Sequence, residues 1–250
     1  MNKSVVYFAS DLHLGAPNSQ QSLQRETRFI KWLDQISHDA NELFLVGDVF
    51  DFWFEYREVI PKGYLRLFSK LLQLKESGVK IHYFIGNHDM WVFDYFTKEL
   101  GFEMHREPIQ IERQGKQLYV GHGDGLGPGD YGYKFIKQVF RNPVCIWLFK
   151  WLHPDIGIWL GKTLSSQSRK VQGNHTDKFL GEDKEWLYQY CVSELKTRHF
   201  DYFIFGHRHL PIEKKLNERS KYINLGDWIQ FNTYARFDGE DISLLTFSDN

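Results

Sequence analysis

The chain contains five short phrases in which residues that commonly bind metal ions follow hydrophobic segments. These phrases are SDLHLG, VGDVFD, GNHD, VGHGD and FGHRH. Their candidate ligands are Asp11, His13, Asp48, Asn87, His122, His207 and His209. Carboxylate, amide oxygen and imidazole suit Mn²⁺, Zn²⁺ or Fe²⁺, and the lack of thiolates among these ligands argues against a structural zinc knot. The phrases therefore predict a metal centre with oxygen and nitrogen ligands.

Each phrase comes directly after a run of β-branched and aromatic residues, which predicts that the ligands lie where strands end. The composition predicts strands at about 4–9, 43–46, 80–85 and 117–121, and helices at about 22–38, 62–77 and 91–99. This alternation is typical of an α/β fold in which helices cover the sheets. Loops at the carboxyl ends of the strands would bring the distant ligands into one crevice.

The C-terminal part has a different pattern. After DYFIFG, the short segments LPIEKKL, KYINLG, FNTYARF and EDISLLTF predict antiparallel strands and hairpins, with a tight turn at Asp238 and Gly239. The expected architecture is therefore α/β, with two packed mixed sheets flanked by helices.

Two divalent ions about 3.5 to 4 Å apart need an anion between them. We expect Asp48 to be that bridging carboxylate, and Asp51 to orient a ligand from behind. Glycines next to the ligands, such as Gly86 and Gly206, allow the backbone segments to approach closely. These positions are thus suited to crowding ligands together.

Taken in this order, DxH, GD, GNHD, GH and GHxH resemble the calcineurin-like metallophosphoesterase superfamily, and the match extends from Asp11 to His209. Within it, GDVFDFW and the HGDGL that precedes an insertion are most similar to the UDP-2,3-diacylglucosamine hydrolase family of the lipid A pathway. The resemblance implies a four-layer sandwich of two sheets between helices. It also implies a hydrolase with two metal ions, with Mn²⁺ as the expected metal, that activates water for attack on phosphorus.

The resemblance further implies how the ligands are shared between the two ions. One metal would be bound by Asp11, His13, Asp48 and His209, and the other by Asp48, Asn87, His122 and His207. His88 would remain free to face the phosphate, with Asp89 or a backbone carbonyl orienting its ring. Many members of the lipid A family have Arg at this position, and only His readily exchanges a proton near neutral pH.

Structural roles are an alternative for each of these residues. The histidines could be buried packing residues, the aspartates could belong to turns or helix N-caps, and Asn87 could occupy a left-handed turn. The complete set in the expected order favours the metal centre.

The segment 125–172 separates the two parts of the predicted core, 1–124 and 173–250, and we expect it to form a helical lid. From 131 to 172 it has seven Lys or Arg against a single acid, Asp155, and these cations alternate with aromatic and aliphatic residues. Such a segment fits a membrane interface that contains anionic lipid. Pro143 and Pro154 should divide it into helices too short to span a bilayer. Packing within a helical subdomain is the alternative explanation for its aromatic residues.

By resemblance, the expected substrate is UDP-2,3-diacylglucosamine and the products are UMP and 2,3-diacylglucosamine 1-phosphate. The lid would shield the acyl chains, and its cations would bind the diphosphate or headgroup. The expected substrate contacts are Asp124, Ser168, Arg169, Lys170, Trp147 and Trp151. A surface position at a helix end is the alternative for the polar members of this set.

Composition is consistent with an enzyme that has one large core and one insertion: the chain has 250 residues, of which 42% are hydrophobic. The formal net charge of -1 gives no signal for nucleic acid. Two cysteines and no recognisable signal peptide predict a cytoplasmic protein. The basic and aromatic segment, together with the resemblance, implies that it is peripheral to the cytoplasmic face of the inner membrane. The oligomeric state is not predicted.

Two other functions are compatible with the same residues. The chain could be a phosphodiesterase or nucleotide pyrophosphatase for a soluble substrate, with the lid as packing. It could also be a non-catalytic interaction module on the same scaffold, although every ligand position is filled.

Overall fold

A computed structural model describes residues 4–127, 131–172, 178–179 and 181–249, with only the backbone described for 170–172. In chain order the elements are β1 (Val5–Ala9), α1 (Ser19–Ile36), β2 (Ala40–Val46), α2 (Leu65–Glu76), β3 (Lys80–Phe84), α3 (Tyr95–Lys98), β4 (Glu103–His105), β5 (Ile109–Arg113), β6 (Lys116–Gly121), α4 (Tyr131–Arg141), α5 (Pro143–Lys150), α6 (Pro154–Gln172), α7 (Trp186–Glu194), β7 (Tyr202–Phe205), β8 (Pro211–Lys215), β9 (Lys221–Leu225), β10 (Thr233–Phe237) and β11 (Ile242–Thr246).

The strands form two mixed sheets, as the sequence predicts. The first has six strands in the order β11-β10-β1-β2-β3-β4, and the second has five in the order β5-β6-β7-β9-β8. Strands β1 to β4 are parallel, as are β6, β7 and β9, whereas β10 runs antiparallel to β1. The parallel strands bring the ends of β1, β2, β3, β6 and β7 to one crevice.

The core has three layers of apolar contacts. Between the sheets, alternate residues of each strand interdigitate, with Phe8, Phe44 and Val120 fully buried. Helices α1 and α2 cover the outer face of the first sheet through residues such as Trp32 and Leu67, and α7 covers the second sheet. The result is the expected order of helix, sheet, sheet and helix.

The sequence misplaces or misses some elements. Helix α2 begins at Leu65 rather than near 62, because Tyr64 has a left-handed backbone with φ of 61°. The helix expected at 91–99 has only four residues, because Trp91 pairs instead with Phe54 in an isolated bridge. Strands β4 and β5 were not predicted; their residues are mostly half-buried or exposed, which weakens the alternating pattern.

The C-terminal hairpins are confirmed. Strands β8 and β9 pair antiparallel, as do β10 and β11, and the Asp238 carboxylate accepts backbone hydrogen bonds from Glu240 and Asp241 in the turn. The parallel pairing of β9 with β7 was not foreseen, because the sequence predicts only antiparallel strands in this part.

The insertion is helical and divides at the two expected prolines. Pro143 opens α5 behind an N-cap at Asn142, whose side chain accepts a hydrogen bond from the Val144 amide at 2.8 Å, and Pro154 opens α6. Among the described residues, no helix is both long and apolar enough to cross a membrane.

Candidate metal centre

The predicted ligands lie on strained backbone. Among the described residues, eight that are not glycine have a positive φ, and five of these are predicted ligands. The five are Asp11 (φ 55°), His13 (φ 44°), Asp48 (φ 52°), His207 (φ 64°) and His209 (φ 55°). A left-handed backbone at such residues costs about 1 to 3 kcal/mol each and concentrates at functional sites. The surrounding structure therefore holds the turns after β1, β2 and β7 in an unfavourable backbone conformation, and this conformation directs the side chains into the crevice.

Two glycines allow the turns to touch. A Cβ added at Gly86 would collide with the carboxylate and backbone of Asp48, and one at Gly206 would lie 2.5 Å from Asp11 Oδ2. Backbone hydrogen bonds join the same loops, since the Asp11 amide donates to Gly47 O at 3.1 Å and the His13 amide to Asp48 O at 2.9 Å. The close approach requires glycine at both positions.

One group of ligand atoms is formed by Asp11, His13, Asp48 and His209. His13 Nε2 lies 3.2 Å from His209 Nε2, 3.6 Å from Asp48 Oδ2 and 3.8 Å from Asp11 Oδ1. His209 Nε2 lies 3.3 Å from Asp11 Oδ1. The ligand atoms of Asp11, His13 and His209 thus converge, and Asp48 Oδ2 adjoins them through His13, in the grouping that the sequence resemblance implies.

The second group is formed by Asp48, Asn87, His122 and His207. His122 Nε2 lies 3.3 Å from Asp48 Oδ2 and 3.1 Å from Asn87 Oδ1. His207 Nδ1 lies 2.8 Å from the same Asn87 oxygen. Asp48 Oδ2 faces both groups, as a bridging carboxylate would, and its other oxygen accepts a hydrogen bond from the His88 amide at 2.8 Å.

The outward nitrogens of two imidazoles have hydrogen-bond partners. His209 Nδ1 lies 3.2 Å from Asp227 Oδ2, and His122 Nδ1 lies 2.8 Å from the Val46 carbonyl. Such contacts fix the ring orientation and increase the basicity of the inward nitrogen. The inward Nε2 lone pairs of these two rings are therefore available to metal ions. The buried His13 Nδ1 has no hydrogen bond among the described residues and lies 3.5 Å from Asp51 Oδ1.

Buried charge also fits a cation at this position. Burial raises the pKa of Asp11, but the neighbouring imidazole of His209 outweighs it and lowers that pKa to about 2. Burial lowers the pKa of His122, yet the Asp48 carboxylate raises it to about 10, so without a metal a proton supplies the positive charge. The buried Oδ1 of Asp11 has no hydrogen-bond donor among the described residues, which leaves it available to a cation. The residues present thus fit two divalent ions.

Comparison with known proteins places the chain in a family. The model of the calcineurin-like phosphoesterase family matches residues 4–211. The chain belongs to this family. It is a metal-dependent phosphoester hydrolase, and the two groups of ligand atoms lie within the matched region.

The alignments of this phosphoesterase with similar proteins cover nearly its whole length. A curated UDP-2,3-diacylglucosamine hydrolase of Porphyromonas gingivalis is 38% identical over 260 residues, covering 99% of this chain and 99% of that protein. One of Pseudomonas putida is 26% identical, covering 97% and 99%. Among solved structures, vacuolar protein sorting 29 of Cryptosporidium parvum has a TM-score of 0.44 at 13% identity, covering 98% of each chain.

In this phosphoesterase, His88 points to a cavity beside the metal centre. Its Nδ1 lies 2.8 Å from Ser165 Oγ on α6 and 3.2 Å from the Asp51 carbonyl oxygen. Burial lowers its pKa to about 4, so the ring is neutral near pH 7. The Asp51 carbonyl therefore orients the ring. A backbone carbonyl was one of the two partners expected for His88.

Asp89, the other expected partner of His88, has a different role. Its carboxylate accepts hydrogen bonds from the Gly86 amide at 2.7 Å, the Val49 amide at 2.9 Å and the Tyr83 hydroxyl at 2.6 Å. Asp89 therefore holds the loops after β2 and β3 together and does not orient His88.

The cavity next to His88 has a volume of about 500 Å³ and lies between the core and the insertion. Its wall combines residues of the metal centre and its surroundings, such as Asn87 and His88, with apolar residues of the loop after β3 and of α4 and α6. The lining residues are Asp51, Phe52, Asn87, His88, Met90, Trp91, Tyr133, Ile136, Phe140, Gly161, Leu164, Ser165, Gln167 and Ser168. A cavity of this size and composition suits a ligand with a charged group and an apolar tail.

The predicted substrate contacts lie in several places. Ser168 lines the cavity, whereas Arg169 forms an ion pair with Asp51 and donates to Ser165 Oγ at 2.7 Å. The Asp124 carboxylate accepts from the Tyr133 hydroxyl at 2.6 Å and pairs with Lys137 at 2.5 Å, which ties α4 to the core. The side chain of Lys170 lies outside the described residues.

Trp147 and Trp151, which the sequence analysis predicts as substrate contacts, are not among the residues that line this cavity. They are 57% and 75% exposed, and their rings contact each other at 5.9 Å on the outer side of α5. Helix α5 is apolar around most of its circumference, so its sequence does not indicate which face is turned inward. Trp91 and Phe140 stand in the cavity wall instead.

Sequence reasoning missed two residues that support the site. Asp227 accepts from the backbone amides of Ile229, Gln230 and Phe231, and its other oxygen faces His209. The phrase INLGDW resembles the other strand-end phrases and could have revealed it. Ser165 is one of three serines in α6, and nothing in the sequence distinguishes it from Ser166 and Ser168.

Proposed function

We propose that this phosphoesterase hydrolyses the diphosphate of UDP-2,3-diacylglucosamine to UMP and 2,3-diacylglucosamine 1-phosphate. The observation that carries the proposal is the mostly apolar cavity that opens directly onto Asn87 and His88. A diacylated sugar nucleotide needs this combination of a metal centre and an apolar space. The 38% identity with a protein named UDP-2,3-diacylglucosamine hydrolase supports the same substrate.

The acyl chains would occupy the part of the cavity that lies between the insertion and the core. Met90 and Trp91 contribute from the loop after β3, and Ile136, Phe140 and Leu164 contribute from α4 and α6. Each methylene removed from water contributes about 0.8 kcal/mol. Trp91 is held in place because its indole N–H donates to the Phe140 carbonyl at 2.9 Å, which also fastens α4 to the core.

Two divalent ions, for which we propose Mn²⁺, would be held by the two ligand groups. Asp11, His13 and His209 would bind one ion, Asn87, His122 and His207 the other, and Asp48 would bridge them. When bound, such a pair lowers the pKa of water and stabilises negative charge on phosphate oxygens. The chain's own contribution is to fix the seven side chains in place before substrate arrives.

His88 would act on the phosphate directly. Because the Asp51 carbonyl oxygen can only accept, we infer that His88 Nδ1 carries a proton and shares it between that oxygen and Ser165 Oγ, which also accepts from Arg169. The ring would donate from Nε2 to a phosphate oxygen or to the leaving group once that nitrogen is also protonated, while Nδ1 keeps its two acceptors. The low solvent exposure of His88, 6%, strengthens that hydrogen bond.

The polar end of α6 would contact the headgroup. Ser168 and Gln167 line the cavity near His88, and Lys170 follows in sequence. Arg169 would act by holding Asp51 and Ser165 in place, in addition to any contact with the diphosphate. Asp124 would act from behind, because its carboxylate holds α4 through Tyr133 and Lys137.

The outer surface of the insertion would lie on the cytoplasmic face of the inner membrane. Its large apolar side chains are exposed although they belong to a compact protein. They include Tyr131, Phe135, Val144, Trp147, Leu148, Trp151, Ile156 and Trp159, each at least 55% exposed. With the seven Lys or Arg of residues 131–172, this surface has the composition of an interfacial anchor for anionic lipid.

An assay with matched substrates tests the proposal. Mn²⁺-loaded protein would be incubated with UDP-2,3-diacylglucosamine, UDP-N-acetylglucosamine and an aryl phosphodiester, and the products identified by mass spectrometry. We expect UMP from the diacylated substrate at a rate at least about a hundredfold above that from the acetylated one. Hydrolysis of the soluble esters alone would keep the metal centre and refute the lipid substrate. No hydrolysis of any ester would favour a non-catalytic role.

A further inference from the structure

A second cluster of metal-binding side chains lies away from the metal centre, on β3 and β4. These strands are parallel, with His82 opposite Glu103 and Phe84 opposite His105. Because side chains alternate along a strand, Glu103 and His105 face the same side as His82. His82 stacks on Phe44 with 4.1 Å between ring centroids, so the cluster borders the core between the two sheets.

Three ligand atoms of the cluster converge. His82 Nδ1 lies 3.0 Å from His105 Nε2, and Glu103 Oε1 lies 3.8 Å from each of these nitrogens. In a tetrahedral zinc site with bonds of about 2.0 to 2.2 Å, the ligand atoms are about 3.3 to 3.5 Å apart. The observed triangle is close to that size without any movement of the backbone.

A carboxylate stands behind the cluster, as in many zinc sites. His82 Nε2 lies 3.0 Å from Glu42 Oε2, which leaves Nδ1 without a proton when Nε2 donates. Arg113 of the second sheet donates to both oxygens of Glu42, at 2.7 and 2.8 Å. The ring of His82 is therefore fixed with its lone pair toward His105.

Near neutral pH, His105 and Glu103 are in the protonation states in which they bind metal ions. Burial lowers the pKa of His105 to about 4, so its ring is neutral. Burial raises the pKa of Glu42, but its hydrogen bonds with His82 and Arg113 outweigh this and lower it to about 2. The Glu103 carboxylate pairs with Lys80 at 2.7 Å, and its pKa is lowered mainly by that hydrogen bond.

We propose that His82, Glu103 and His105 form a third divalent-metal site, separate from the metal centre, that takes zinc. Two imidazole nitrogens and one carboxylate oxygen are a common zinc ligand set. The Glu103 side chain is 46% exposed, so solvent can reach the ion and supply a fourth ligand. The ion would tie β4 to β3, the strand that leads through Ile85 and Gly86 to Asn87.

Metal content per chain tests this site. Protein stripped with a chelator and loaded with zinc would be desalted, and its zinc measured by mass spectrometry. We expect three zinc ions per chain in the unmodified protein and two in His105→Gln. The matched control is His38→Gln, which changes an exposed histidine elsewhere and should keep three. Two ions in the unmodified protein, or three in His105→Gln, would overturn the proposal.

A second variant covers the case in which His105→Gln does not fold. Glu103→Gln alters a half-exposed side chain, and it should weaken binding of the third zinc at least about tenfold in a chelator competition. Binding at unchanged affinity would contradict the site. Zinc content and zinc affinity are measured without substrate, so the result does not depend on the substrate proposed above.

Discussion

Ser165 on the insertion helix α6 contacts the ring of His88 on the core, with 2.8 Å between Ser165 Oγ and His88 Nδ1. The two residues are 77 positions apart, and the contact is buried. The insertion thus does more than cover the cavity, because it supplies a second partner, beside the Asp51 carbonyl, for Nδ1 of the proposed catalytic residue.

Ser165→Ala tests this relationship. Ser165 Oγ accepts from Nδ1–H and so stabilises the protonated ring; its loss should lower the pKa of His88 and move the corresponding limb of the kcat profile to lower pH. We also expect kcat to fall about tenfold with little change in KM. Ser165→Thr should restore most of the activity. Thr163→Ala, which removes a hydroxyl from the same helix, is the control, and an unshifted pH profile in Ser165→Ala would refute the role.

His88→Ala should separate catalysis from metal binding. Because His88 contacts the metal ligands but belongs to neither ligand group, we expect kcat to fall at least about a hundredfold while two ions remain bound. Turnover and metal content should be measured on the same samples. Loss of metal together with activity would make His88 a ligand and contradict its assignment.

Asp48→Asn should affect both ligand groups at once. Asp48 Oδ2 lies within 3.6 Å of both His13 Nε2 and His122 Nε2, and an amide cannot bridge two cations as a carboxylate does. We expect loss of at least one ion and a fall in activity of about a thousandfold or more. Asp94→Asn, at an exposed carboxylate, serves as the control. An Asp48→Asn enzyme with two ions and full activity would exclude the bridge.

Trp147→Ser combined with Trp151→Ser tests the membrane surface. Both indoles are exposed, so their removal should not disturb the cavity, but it should weaken sedimentation with vesicles of anionic phospholipid at least about tenfold. Leu23→Ser with Val59→Ser, two residues each 45% exposed outside the insertion, is the matched control. Equal vesicle binding by both double variants would reject this surface as the anchor.

The convergence of the ligands can be predicted from the sequence because each ligand lies at the end of a strand. Each ligand follows a buried strand within a few residues, so the sheet itself brings Asp11, Asp48 and His122 together once the strands are parallel. The separation into two groups around Asp48 was implied by the resemblance to the family and not by the strand pattern. The convergence of the ligands depends on local patterns that a single sequence contains.

The cavity wall could not be predicted in the same way. Trp147 and Trp91 are both aromatic residues near the site, and only tertiary packing decides that Trp91 faces the cavity while Trp147 faces solvent. Ser165 likewise differs from the other serines only in that it contacts His88 in the folded protein, and the residues around it in the sequence do not indicate this contact. Contacts between helices and loops that are far apart in the sequence produce no periodic pattern of hydrophobic residues from which they could be predicted.

The central claim is that this chain cleaves the diphosphate of a diacylated sugar nucleotide at the phosphorus next to uridine. The direct measurement is hydrolysis of UDP-2,3-diacylglucosamine by the Mn²⁺-loaded protein in water enriched with ¹⁸O, with both products weighed by mass spectrometry. We predict one ¹⁸O atom in UMP and none in 2,3-diacylglucosamine 1-phosphate. Label in the sugar phosphate, or no cleavage of this substrate, would contradict the account.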